Sequence, residues 1–179
     1  AVPLHRKLGL DPTAAPRTSY TVSIDDPDAM AETAERAVDS GHRVLKVKLG
    51  TDRDRERLTA VREAAPDARV RVDANEAWTP KEAVAAGDWL ADLDVEFLEQ
   101  PVPAANPEGL RYVYEHSPLP VAVDESCVTL PDVPAVADRA DVAVLKLMKC
   151  GGLVEARRMV HAARAHGLEV MLGCMIESN

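Results

Sequence analysis

The chain has 179 residues, of which 46% are hydrophobic and 28% charged, with a formal net charge of -9; that is apolar material for one sizeable core and excludes a disordered polymer. Its basic residues are interleaved with acids, which excludes nucleic acid and anionic membrane as partners, because both require clustered Lys and Arg. No apolar run approaches the roughly 20 residues that span a bilayer, and the N-terminus lacks the layout of a secretory signal, so a cytoplasmic location is expected.

Residues 1–18 carry Pro3, Gly9, Pro12 and Pro16 without a sustained period and read as a linker. Tyr20 to Ile24 is a first strand, followed by Asp25 and Asp26 as cap, Pro27 at the first helical position, and a helix with Met30, Ala34, Ala37 and Val38 on one face. The second strand, Val44 to Gly50, alternates so that Lys46 and Lys48 share a side opposite Val47. A helix from Thr51 then turns Leu58, Val61 and Ala65 inward, and a third strand ends at Asp73. Thr79-Pro80-Lys81-Glu82 opens the next helix as a capping box, with Val84, Ala85 and Trp89 expected to pack and Leu90 as a further candidate.

Phe97-Leu98-Glu99 ends the fourth strand on a carboxylate, and Asn106-Pro107 starts a helix carrying Leu110, Val113 and Tyr114. The fifth strand ends at Asp124 and is followed by a short helix near Pro134 to Arg139. Val142 to Leu147 is the sixth strand, Gly151-Gly152 leads into a helix carrying Leu153, Ala156, Met159, Val160 and Ala163, and Glu169 to Gly173 is the seventh strand. Near-continuous apolar strands alternating with helices indicate parallel βα units. A doubly wound sheet would offer a Gly-rich turn after strand one, where this chain has Asp25-Asp26-Pro27. The expected fold is therefore α/β, a partial TIM-type (β/α)8 barrel of seven parallel strands without the eighth.

Asp73, Glu99 and Asp124 follow one another at intervals of about 25 residues, each at a strand end. In a parallel barrel that address is the C-terminal rim, where carboxylates from neighbouring strands can meet around one hard cation. A single acid at a strand end is ordinarily a loop residue; the coincidence of three, flanked by Lys48 and Lys146 at the ends of strands two and six, points to a Mg2+ site with an amine on either side. That layout suits removal of a proton alpha to a carboxylate: the cation stabilises the developing enolate, one lysine takes the proton and the other returns it. A lysine base must be neutral, and the charges of Lys46, Lys149 and the cation favour that form while the carboxylates oppose it. Asn75, Gln100 and Glu125 stand beside the carboxylates as candidate supporting partners, with plain loop hydrogen bonding as the alternative. His5, His42, His116, His161 and His166 all lie away from strand ends, and Cys127, Cys150 and Cys174 give neither a disulfide framework nor a zinc signature and are expected to pack as small buried residues.

Lys46-Val47-Lys48, Asp73-Ala74-Asn75, Glu99-Gln100-Pro101, Asp124-Glu125-Ser126 and Lys146 to Gly152 together resemble the enolase superfamily, and within it the muconate-lactonising-enzyme-like branch. The closing Gly173 to Ser178 resembles the strand-seven signature of dipeptide epimerases of the L-Ala-D/L-Glu type. The resemblance implies Lys48 and Lys146 as acid/base catalysts, Lys46 as electrostatic helper, Asp73, Glu99 and Asp124 as Mg2+ ligands, and Cys174, Met175 and Glu177 as rim residues facing the substrate. It implies a dipeptide or N-acylamino acid substrate. It also implies that residues 1–18 are the tail of an N-terminal capping domain, that 19–179 are a catalytic barrel truncated at its C-terminus, and that this piece alone is impaired; the open strand edges would allow a homo-oligomer.

Three other readings use the same residues. Sister activities of the branch (N-acylamino acid racemisation, o-succinylbenzoate synthesis, cycloisomerisation) share the lysines and carboxylates. An aldolase forming a Schiff base on Lys146 would need no cage of carboxylates. A non-catalytic metal-binding fragment is the remaining alternative.

Overall fold

The computed structural model describes residues 2–175. Among them seven strands form one parallel sheet in sequential order: β1 (Tyr20–Val22), β2 (Val44–Lys48), β3 (Arg69–Asp73), β4 (Val95–Glu99), β5 (Val121–Val123), β6 (Val142–Lys146) and β7 (Glu169–Gly173). Sequential order in a parallel sheet requires every crossover to run on the same side, so the helices cover one face and the sheet curls into a half-barrel. The connecting helices are α2 (Pro27–Asp39), α3 (Asp54–Ala64), α4 (Pro80–Asp92), α5 (Pro107–His116), α6 (Asp132–Val136) and α8 (Leu153–Ala165); α1 (Leu4–Leu8) precedes the sheet and α7 (Leu147–Cys150) follows β6 directly.

Strand alternation divides the side chains between the two faces. Toward the helices, Leu45, Val47, Val70, Val72 and Leu98 pack with Met30, Leu58, Val61 and Leu90, and a second cluster joins Val121, Val123, Ala143 and Leu145 to Leu110, Val113 and Met159. The concave face has only a small apolar group, Phe97, Ala122 and Val144 with Met171 against it. Arg71 shares that face: its guanidinium lies 5.1 Å over the Phe97 ring and donates to Glu96 at 2.6 Å and to Ser19 at 2.9 Å.

Helix starts follow their local chemistry. Thr79 and Glu82 form the capping box of α4, and Asn106 accepts the Gly109 N–H at the start of α5. Asp26 makes no side-chain cap bond to α2, and α3 begins three residues later than its sequence suggests, because Asp54 takes the Gly50 and Thr51 N–H groups and so ties the loop to the first turn. Val84 and Trp89 pack against the core and Leu90 is buried, but Ala85 is exposed and Ala83 and Ala86 turn inward in its place. Leu153 is likewise exposed. β6 ends at Lys146, since Leu147 already belongs to α7, and residues 1–18 contain the short α1 and a 3-10 turn at Pro12–Ala14.

Candidate active site

The register of the sheet sets the rim. Lys48 pairs with Asp73 and Asp73 with Glu99 as direct cross-strand neighbours, and Asp124 follows the last residue of β5. Lys46, two residues before Lys48, points to the same side. On the far side of the row Lys146 ends β6, opposite Gly173 of β7, where any Cβ would stand 3.1 Å from the Lys146 chain. Glycine at 173 thus leaves Lys146 the room to extend along the rim.

All three carboxylates are buried, and lysines hold them. Lys46 Nζ donates to Glu99 Oε1 at 2.6 Å and stands 2.8 Å from Asp73 Oδ2, which also receives Lys48 at 2.7 Å. Asp124 receives Lys146 on Oδ2 at 2.6 Å and Lys149 on Oδ1 at 2.9 Å. Lys149, expected from the sequence only as a charge near Lys146, is reached through the turn of α7 and is a direct partner of Asp124, since a helical turn brings i and i+3 to one face. Lys48 also donates to Asn75 Oδ1 at 2.5 Å, and the Asn75 amide reaches Glu125 Oε1 at 3.5 Å. Cys127 and Cys150 are buried packing residues as expected, whereas Cys174 is exposed and borders the concave cavity together with Lys46, Arg71 and Lys146. Met175 is half exposed, and Glu177 lies outside the described residues.

The electrostatics follow from sharing. Burial lowers the pKa of the Lys46 ammonium, but Glu99 and Asp73 together outweigh it and leave it raised above the ordinary lysine value, so Lys46 is a fixed cation. Asp73 is pushed up by burial and pulled down further by Lys46 and Lys48, ending lowered. Glu99 has one shared partner: burial first, then the charge of Asp73, raise it to about 7 against the pull of Lys46. Glu125 is raised by burial and by Asp124.

The rim has the donor chemistry for a hard divalent cation. Three buried carboxylates stand at consecutive strand ends, and Glu99 Oε2 is buried with no hydrogen-bond partner, an orphan that a cation would satisfy. Among the described residues no three acidic, His or Cys groups are gathered ready around one ion; lysine ammoniums stand between the carboxylates instead. The donor set suits such an ion, and one bound among these carboxylates would have to displace the lysines.

Known proteins share this frame. The model of the Enolase C-terminal domain-like family matches residues 29–179. The chain is similar to the hydrophobic dipeptide epimerase of Enterococcus faecalis, 42% identical over 89% of this chain and 47% of that one, and to the L-Ala-D/L-Glu epimerase of Escherichia coli, 43% identical over 89% of this chain and 49% of that one. Its structure resembles a dipeptide epimerase from Enterococcus faecalis V583 complexed with Mg and the dipeptide L-Leu-L-Tyr, with a TM-score of 0.86 and 42% identity over 89% of this chain and 46% of that one. The chain spans about half the length of the curated relatives it matches.

Proposed function

Since this chain belongs to the Enolase C-terminal domain-like family, we propose that it carries the acid/base and metal-binding part of a Mg2+-dependent dipeptide epimerase, an isomerase that inverts one α carbon by moving its proton from one face to the other. The observation that carries this reading is the row Lys48, Asp73, Glu99, Asp124, Lys146: three buried carboxylates in rim register with an amine at each end.

Asp73, Glu99 and Asp124 are the residues that would hold Mg2+; when bound, the ion supplies positive charge that offsets theirs and draws electron density from the substrate carboxylate. A substrate α carbon set between β2 and β6 has Lys48 on one face and Lys146 on the other. One lysine, as free amine, takes the proton as the C–H bond breaks and the carbon flattens; the other, as ammonium, gives a proton to the opposite face. Roles exchange for the other epimer, so both directions run on one site. Lys46, held as a cation by Glu99 and Asp73, adds fixed positive charge beside Lys48. Asn75 must direct its oxygen to Lys48, which only donates, and its NH2 to Glu125, which only accepts, and so orients the Lys48 head.

The test is deuterium uptake at the α carbon of the Glu residue of L-Ala-L-Glu in D2O, followed by NMR. The expected result is slow uptake that requires Mg2+, stops with chelator and is lost in Lys48→Ala and in Lys146→Ala. Uptake that persists in chelator, or at full rate in both variants, overturns the reading; an adduct on Lys146 trapped by borohydride would favour a Schiff-base enzyme instead.

A further inference from the structure

Gln100 follows Glu99 and is fully buried, yet its backbone adopts φ +38°, a left-handed conformation that costs a non-glycine residue about 1 kcal/mol. Its amide uses all of its hydrogen-bonding capacity. Oε1 accepts from the N–H of Asp124 at 3.0 Å and of Ser126 at 3.1 Å, while Nε2 donates to Val102 O at 2.9 Å and to Ser126 Oγ at 2.8 Å. The two N–H partners fix which end is oxygen. The main chain of Gln100 adds two more ties, donating to Ala122 O at 2.8 Å and accepting from Glu76 N–H at 2.8 Å. One residue thus fastens together the chain beyond β3, β4 and β5, each of which delivers one of the three carboxylates.

The direction of these bonds matters more than their number. A buried side chain that only filled space would be cheaper as a hydrocarbon, because desolvating an amide is worthwhile only where every partner is met. Here the partner of Oε1 is the N–H of Asp124 itself, which sets the orientation of its Cα–Cβ bond and so where its carboxylate points.

We propose that Gln100 is a positioning residue for the cation site, whose amide sets the Asp124 carboxylate against Glu99 before any ion arrives. This rests on the reading that Asp73, Glu99 and Asp124 hold Mg2+. The closing experiment is calorimetric titration of the chain and of Gln100→Met with Mg2+, together with urea unfolding in chelator and hydrogen exchange of the Asp124 and Ser126 amides in the metal-free parent. The expected results are a Kd at least about tenfold weaker in folded Gln100→Met, and parent amides that exchange as slowly as those inside β4 and β5. A space-filling role would move the urea midpoint and leave the Kd of the folded variant unchanged, and that outcome overturns the proposal. Should Gln100→Met not fold, exchange in the parent decides: slow supports the proposal, fast overturns it. A parent chain with no saturable Mg2+ site would overturn the metal reading itself, and this proposal with it.

Discussion

Lys46 on β2 reaches past β3 to donate to Glu99 on β4 at 2.6 Å, so one ammonium spans two strand intervals and serves the carboxylates of both strands it meets. Glu99, with no solvent exposure and one oxygen unpartnered, is left short of positive charge. The shortage is local to Glu99, because Lys48 serves Asp73 and both Lys146 and Lys149 serve Asp124.

A pH dependence follows. Burial and Asp73 raise Glu99 from 4.5 to about 7 in the folded chain, so between those values the folded state keeps a proton that the unfolded state releases, and stability falls as pH rises through that window. Glu125, also raised, acts in the same direction. The lowered pKa of Asp73 and the raised pKa of Lys46 act below and above this range. In chelator the urea midpoint should drop between pH 5 and pH 8, with a stability difference on the order of a few kcal/mol, and Glu99→Gln should flatten most of the slope. An unchanged slope in that variant would place the proton elsewhere.

Arg62 offers a test far from the rim. Its guanidinium donates to five main-chain carbonyls, those of Ala65, Pro66, Ala68, Leu93 and Asp94, tying the end of α3 to the turn between α4 and β4. Arg62→Ala should cost about 2–4 kcal/mol of unfolding free energy, and Arg62→Lys should recover little, since an ammonium lacks the planar fork. Urea melts of both variants decide; full recovery by Lys would show that charge alone suffices.

Much of this frame is legible in the sequence, and the reasons differ by element. Strand identity and the rim acids are local facts: a strand pattern that stops on Asp73 or Glu99 declares both the strand and the rim at which it ends. The faces of α4 and α8 are less certain from sequence, since Ala at 83, 85 and 86 carries too little hydrophobicity to fix a stripe, and tertiary packing chose Ala83 and Ala86 over Ala85. The lysine embraces of Glu99 and Asp124 and the four bonds of Gln100 join residues 22 to 53 positions apart, apart from the bond to Val102, and no window of sequence displays them. The left-handed backbone at Asn75, Glu76 and Gln100 is also hidden, because Glu and Gln give no hint of it.

Gly50, just past Lys48, has φ +128°, and a Cβ there would stand 2.6 Å from Ala77 Cβ and 3.1 Å from Ala74 O. Gly50→Ala should therefore destabilise by about 2–4 kcal/mol through strain and clash together, read as a lowered urea midpoint. A loss below about 1 kcal/mol would mean that the loop relaxes freely.

The thiols should separate by reactivity. Burial, with Asp132 and Asp124 adding to it, pushes Cys127 up to about 12, and Cys150 is buried, while Cys174 is exposed. Iodoacetamide on the native chain at pH 8 should label Cys174 and spare the other two until urea is added, as peptide mapping will report. Native labelling of Cys127 at the rate of Cys174 would contradict the packing around β5.

The last prediction concerns how Asp124 survives at 1% exposure. Its two oxygens have separate partners, Lys146 on Oδ2 and Lys149 on Oδ1. Removing one lysine leaves the carboxylate with the other ammonium and its Gln100-fixed backbone, a loss of about 1–2 kcal/mol in metal-free protein. Removing both leaves a buried charge without a counter-ion, which costs about 3–5 kcal/mol or forces protonation. The double variant should therefore lose more than the sum of the singles, a coupling that a urea-based double-mutant cycle in chelator reads directly. Because Mg2+ would take the place of both ammoniums at Asp124, added Mg2+ should raise the urea midpoint of Lys146→Ala/Lys149→Ala more than that of the parent. Strict additivity would show that the two lysines act independently, and an equal Mg2+ effect in both proteins would show that neither has to yield to the ion.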